Sequence, residues 1–151
     1  MQQPTIEPYQ PERIQSQVYV GFTSRFIGYI IDWIFLMLAS MVVGMSVGII
    51  YDLENLAILN VVSLVMFLIT PFFFIGFWAL AGATPGKILL GMRIVGPDGR
   101  TDGIGFLRAF LRYIGYIISS LAFNIGFIWI IIDNDNRAWH DIIAGTHVVQ
   151  V

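Results

Sequence analysis

Cysteine is absent from the 151-residue sequence, and charged residues are scarce. Without cysteine there can be no disulfide bond, thiolate metal site or cysteine nucleophile. Asp, Glu, Lys and Arg make up 12% of the residues, against about 25% in a typical soluble domain. The net charge of −2 supplies no basic field for nucleic acid, so we expect no nucleic-acid partner. These shortages argue against a soluble enzyme and against a nucleic-acid-binding protein.

Apolar residues, in contrast, make up 57% of the chain, and three long stretches hold most of them. The first, residues 26–51, is interrupted only by Asp32. The other two, residues 56–81 and 113–132, carry no charge. Because roughly 20 apolar residues of helix cross the hydrocarbon core of a bilayer, each stretch has the length of a span. The sequence therefore predicts an all-α integral membrane protein whose first partner is the lipid bilayer. The predicted helices cover residues 24–50, 56–81 and 105–132.

The polar segments between these stretches predict the orientation. Residues 1–20 form a polar N-terminal tail, and residues 21–151 form one membrane domain. Five of the eight Lys and Arg residues lie in residues 82–112, whereas the connection at 51–55 has none. Since basic loops stay in the cytoplasm, we expect a multi-pass protein of the cell membrane. Its N-terminus and the loop at 82–104 would face the cytoplasm.

The third apolar stretch allows two topologies. Asn124 and Gly126 interrupt its middle, as in a re-entrant segment, and each half would then be too short to span. If the stretch spans, the polar segment at 133–151 lies outside the cell. If it turns back, that segment is cytoplasmic.

A small cytoplasmic β-hairpin is predicted within the loop. Residues 88–95 are apolar and rich in β-branched side chains, and residues 96–99 supply turn-forming glycine, proline and aspartate. Residues 147–151 are a further candidate strand. They could pair with residues 92–95 only if the C-terminus is cytoplasmic.

Arg25 and Asp32 stand out because they are charges on one face of the first helix. A charge within an apolar span is costly and persists only with a partner or a function. Arg25 leans away from Asp32, so we expect the donor for Asp32 to be Arg112 or Arg108, and an acid or a lipid phosphate beside Arg25. The functional interpretation is an ion or proton site. The alternative is an ion pair that only holds the helices together.

Small residues in the first helix predict close helix packing. Gly28 lies between the two charges, and Ser40, Gly44 and Gly48 form a row on a different face. Such rows let helix backbones approach in lipid. The row serves either packing within one chain or self-association into a homo-oligomer.

Four pieces in order resemble the RDD family of small membrane proteins, named for an arginine and two aspartates. The pieces are Gly21-Phe-Thr-Ser-Arg25 running on to Asp32; Thr84-Pro-Gly-Lys87 with Gly91; Gly99 with Arg108 and Arg112; and His140-Asp141-Ile-Ile-Ala-Gly-Thr146 followed by Val148-Val149. The resemblance implies a multi-pass membrane protein with Arg25, Asp32 and Asp141 as the naming residues, and ion or solute transport has been suggested for some members. If Asp141 works with Arg25 and Asp32, the C-terminal segment must return to the cytoplasmic side.

We therefore expect an oligomeric transporter of ions or small solutes, with proton coupling as one form of it. Asp32 would titrate or bind the cation, Arg25 or Arg112 would tune it, and Asp141 would be a second acid. The alternative is a non-transporting accessory or scaffold module that docks a membrane-protein partner. No motif predicts catalysis, a cofactor or a metal site.

Overall fold

The computed structural model describes residues 18–50 and 56–151, and two long helices dominate it. Helix α1 covers Phe22–Ile50 and helix α2 covers Leu56–Ala81. Both are long and apolar enough to cross a membrane, and most of their side chains face outward. The predicted fold class, a helical membrane protein with a small β element, is confirmed. Most of the predicted N-terminal tail and the connection at 51–55 lie outside the described residues.

A two-stranded antiparallel sheet joins the loop to the C-terminus. After the short helix α3, Pro85–Leu89, strand β1 covers Met92–Val95 and pairs with strand β2, His147–Gln150. The predicted strand in the loop is therefore present, but its partner is the C-terminal strand and not the residues that follow Gly99. Gly99 N donates to Gly96 O at 3.0 Å in a turn that leads away from the sheet.

The third apolar stretch folds back. Helix α4 covers Phe106–Leu121 and helix α5 covers Ile125–Ile128, and the segment Ile125–Ile131 meets α4 at an angle of 113°. Asn124 adopts a left-handed conformation at this break, which asparagine tolerates better than most residues. A 3₁₀ turn and helix α6, Trp139–Ala144, then lead to β2. Because β2 pairs with β1, the chain returns to the end from which α4 started.

Buried residues collect where α1 begins and α2 ends, a region that we call the packed end. Its apolar core includes Trp78 of α2, Met92 and Ile94 of β1, and Val148 of β2. Val20 N donates to Val148 O at 3.0 Å and so ties the start of α1 to the sheet. The packed end also contains the buried charged residues, which form the candidate site.

Candidate functional site

Asp141 lies at the centre of the first group of buried charges. It is the third residue of α6, and its carboxylate accepts the Ala138 N–H at 3.1 Å, which closes the first turn of that helix. Oδ2 also accepts from Nη1 of Arg25, and Oδ1 accepts from Nη1 of Arg112. One acid therefore links the start of α1 to α4, and all three side chains are buried.

The two arginines are held by further contacts. Arg25 donates through Nε to Val20 O at 2.8 Å and through Nη2 to Asn136 O at 2.6 Å. Arg112 donates through Nη1 to Thr146 Oγ1 at 2.6 Å, and its guanidinium carbon lies 5.4 Å from the centre of the Trp78 ring. The arginines are thus fixed by the backbone and by an aromatic face as well as by Asp141.

The electrostatics of this group favour an ionised Asp141. Burial alone would raise the pKa of its carboxyl, but the attraction of Arg112 and Arg25 outweighs burial and holds the pKa well below its usual range. Burial holds the pKa of the adjacent His140 well below its usual range, so this imidazole is neutral at physiological pH. With two cations and one anion, the group has an excess positive charge.

Asp32 is the centre of a second group. Its side chain is buried, and it accepts from the Thr84 hydroxyl and from the Gly86 N–H, the latter at 2.7 Å. The nearest cation is Lys87, whose Nζ lies 4.0 Å from Asp32 Oδ2. This is an ion-pair separation rather than a hydrogen bond. Asp32 is therefore held by two short donors and balanced by a more distant ammonium.

Glycine permits the close approach that builds this second group. A Cβ on Gly86 would lie 2.2 Å from Gly28 O and 2.9 Å from Asp32 Oδ1. Helix α3 can therefore meet α1 only if position 86 has no side chain. Gly28 lies at the same contact, where an added Cβ would be 2.9 Å from Met92 Cε of β1 and 3.6 Å from Gly86 O of α3.

Lys87 is 3% exposed, and its ammonium is costly to bury. Burial lowers the pKa of Lys87 to about 8, with Asp32 opposing the shift and Arg112 and Arg25 adding to it. The Lys87 ammonium can therefore exchange a proton at mildly alkaline pH. The turn before α3 folds into the protein, which places Lys87 beside Asp32 and not at the surface.

The predicted partner of Asp32, Arg112 or Arg108, is wrong. Arg112 bonds Asp141, and Arg108 lies half-buried beside the turn at Gly96. Helical spacing put both arginines on one face of α4, but it could not say which acid that face meets. The acid expected beside Arg25 is present, and it is Asp141.

The row of Ser40, Gly44 and Gly48 lies outside the packed end. Ser40 Oγ donates to its own helix at Met37 O, 2.8 Å away. A Cβ on Gly44 would have no heavy atom within 4 Å among the described residues. At Gly44, therefore, the row has no close contact with another helix in the described part of the chain.

Sequence reasoning gave no role to three residues that complete the groups. Thr84 bonds Asp32, Thr146 bonds Arg112, and His140 packs on α4 where Gly115 leaves room for its backbone. Only their position in the sequence could have indicated a role, because all three lie within the segments that resemble the RDD family. The described residues contain no group of three or more His, Asp or Glu side chains placed to bind a metal.

A family profile covers the residues of both charge groups. The sequence profile of the RDD family matches residues 19–145, which include both charge groups. The chain belongs to the RDD family. It is 31% identical to Protein FAM8A1 of Homo sapiens over 112 residues, which is 66% of this chain and 27% of that protein. No solved structure gives a significant match.

A bacterial relative covers less of the chain. The Uncharacterized protein YxaI of Bacillus subtilis (strain 168) is 39% identical over 66 residues, which is 44% of this chain and 42% of the relative. The chain therefore spans less than half the length of the curated relatives it matches. The match to the RDD profile makes it a membrane protein of that family.

Proposed function

We propose that this RDD protein is an oligomeric, proton-coupled transporter of small cations. The observation that carries the proposal is the buried pair of Asp32 and Lys87 at 4.0 Å. A buried carboxylate balanced by one titratable cation can exchange a proton for another cation. Intramembrane ionisable residues with a named partner are the usual components of such pathways.

The exchange follows from the charge balance. With Lys87 protonated, the charge of Asp32 is compensated. When Lys87 releases its proton to water, Asp32 keeps its two neutral donors but loses its nearest cation. A monovalent metal ion that binds the carboxylate restores the balance, so one proton leaves for each cation that enters. Because the pKa of Lys87 is about 8, cation binding should strengthen as the pH rises through that value.

Asp141 has a positioning role in this proposal. With Arg25 and Arg112 it holds α1, α4 and α6 together at the packed end. The two arginines also help to lower the pKa of Lys87. The Asp141 group therefore tunes the Asp32 group without exchanging protons itself.

The proposal includes an orientation and an assembly. In this proposal the packed end faces the cytoplasm of a multi-pass plasma-membrane protein, which the five Lys and Arg residues of residues 82–112 support. Two long helices and one folded-back segment are too few to enclose a pathway, so subunits must associate. The row of Ser40, Gly44 and Gly48 is the proposed contact between them.

Transport by purified protein in sealed liposomes tests the proposal. With a pH dye inside and Na⁺, K⁺ or Li⁺ added outside, we expect a cation-dependent pH change that increases across about pH 8, the pKa of Lys87. Asp32→Asn should abolish it because the amide cannot bind the cation, and Lys87→Arg should abolish it because guanidinium does not release a proton. Arg100→Gln, at an exposed position, is the matched control. Full flux in either site variant would overturn the proposal.

One observation favours a different function, an accessory or scaffold module. The hydroxyls of Ser40 and Ser46 bond their own helix backbone, so they offer little to a passing ion. A scaffold predicts no flux and a stable complex with another membrane protein. Affinity purification after mild detergent extraction, with wild type beside Gly44→Leu, would show whether the exposed face of α1 holds such a partner.

A further inference from the structure

The packed end contains a cavity of about 400 Å³. One part of its wall carries the cationic side chains of Arg25, Lys87 and Arg112. Most of the remaining wall is apolar or aromatic, formed by residues that include Phe22, Phe26, Tyr29, Tyr116 and Phe127. The cavity therefore combines a positively charged wall with an apolar one.

The charges around the cavity are not balanced on its surface. Asp32 and Asp141 contact the same cations, but neither carboxylate is among the described residues that form the wall. The acids thus lie behind the cations. Three positive side chains against two negative ones leave one net positive charge. A ligand in the cavity would therefore contact the three cations and not the two carboxylates.

Two lining residues have unused hydrogen-bonding nitrogens. Nε and Nη2 of the fully buried Arg112 have no hydrogen-bond partner among the described residues, and neither does Nδ1 of His140. The Tyr116 side chain approaches the same guanidinium without satisfying these donors. Buried guanidinium donors are rarely left unpaired, so such a pair of nitrogens indicates an acceptor that binds them. Nε with one Nη is the edge that grips an oxyanion bidentately.

We propose that this cavity binds a phosphate group. Phosphate presents several oxygens to Arg112 while its charge is shared with Arg25 and Lys87, and arginine suits this geometry better than lysine. The apolar wall continues to Phe26 and Ile128, which are about half exposed where lipid would contact them. The group can come from a phospholipid headgroup with its chains along that wall, or from a soluble phosphate. The inference does not rest on transport.

Binding by the full chain in a neutral detergent tests the proposal. The probes are dihexanoyl phosphatidylglycerol, inorganic phosphate and the phosphate-free dihexanoylglycerol, each at constant ionic strength, with the midpoint of thermal unfolding as the readout. A phosphate-bearing probe should raise the midpoint with saturation. Arg112→Gln should raise the half-saturating concentration by about tenfold or more, since it removes charge-assisted hydrogen bonds.

A second variant keeps the test valid if Arg112→Gln does not fold. Ser120 lines the cavity, and its hydroxyl donates to Tyr116 O of its own helix at 2.9 Å. Ser120→Trp should therefore fill the cavity without breaking a contact between elements. Leu121→Trp is the matched control, because Leu121 is 78% exposed and lies outside the cavity wall.

The outcomes are distinct. A saturable shift with phosphatidylglycerol alone, weakened by Ser120→Trp and not by Leu121→Trp, supports a lipid phosphate. The same dependence with inorganic phosphate supports a soluble ligand of the same chemistry. The proposal is overturned if dihexanoylglycerol gives an equal shift, if no probe shifts the midpoint, or if Ser120→Trp binds as wild type does.

Discussion

Asp141 accepts hydrogen bonds from two buried arginines, and its removal leaves both without an anion. We expect Asp141→Asn to lower the free energy of unfolding by about 3–5 kcal/mol, the usual cost of breaking a buried ion pair from one side. Asp98→Asn is the control, since its contact with Arg100 is exposed and should contribute less than about 1 kcal/mol. The measurement is reversible unfolding in detergent micelles.

The same residue predicts a pH dependence. The arginines hold the folded-state pKa of Asp141 well below the ordinary value of 3.8, so the unfolded chain takes up this proton first as the pH falls. The stabilisation is therefore complete above that value and is lost as the pH falls further, through the folded-state pKa. Wild type should lose stability in this acidic range with a slope that Asp141→Asn lacks. Equal slopes in the two proteins would contradict the assignment.

At the scale of single residues, the sequence predicted which charged residues are buried in the site better than it predicted which of them form pairs. Arg25, Asp32, Arg112 and Asp141 were all expected to matter, the last only from the resemblance to the RDD family. The partner of Asp32 was missed because Lys87 follows a Thr-Pro-Gly turn, and such a turn can lead to the surface or into the protein. Only the fold of α3 against α1 decides between the two.

The contact between α1 and α3 is the element on which the Asp32 group depends. Gly86→Ala would place a methyl group 2.2 Å from Gly28 O, so α3 must move away and weaken the bonds to Asp32. We expect a loss of about 1–3 kcal/mol in the free energy of unfolding, as for other overpacked sites. Gly28→Ala should lower the free energy of unfolding by less, because its new methyl group would lie 2.9 Å from the flexible end of the Met92 side chain.

A matched control separates overpacking from a general effect of alanine. Gly76 lies in α2, and a Cβ there would meet no heavy atom within 4 Å among residues 18–50 and 56–151. Gly76→Ala should therefore be neutral or slightly stabilising, as expected from helix propensity. If Gly86→Ala matched Gly76→Ala in thermal unfolding, the proposed close approach of α1 and α3 would be wrong.

The elements themselves were predictable where one physical rule dominates. The two long helices follow from the length of their apolar runs, and the break at Asn124 follows from residue type. The pairing of β1 with β2 was predicted only on the condition that the C-terminus is cytoplasmic, because alternation identifies a strand but not its partner. The structure supplies that pairing, which favours a return of the third apolar stretch over a span.

For the whole molecule, the pairing of β1 with β2 predicts that the loop and the C-terminus lie on one side of the membrane. Because the chain has no cysteine, each single-cysteine variant reports only its own position. Asp98→Cys and Val151→Cys place the thiol at exposed positions in the loop and at the C-terminus. Glu54→Cys places it in the connection that the distribution of basic residues assigns to the opposite side.

An impermeant maleimide added to intact cells should label Glu54→Cys at once, and the other two variants only after the membrane is permeabilised. This pattern follows because the chain turns by 113° between α4 and α5 and comes back to the sheet. Labelling of Val151→Cys before permeabilisation, with Asp98→Cys still protected, would mean that the third apolar stretch crosses the membrane. The sheet could not then form, and the Asp141 group, which depends on the returning chain, would lose its arginine partners.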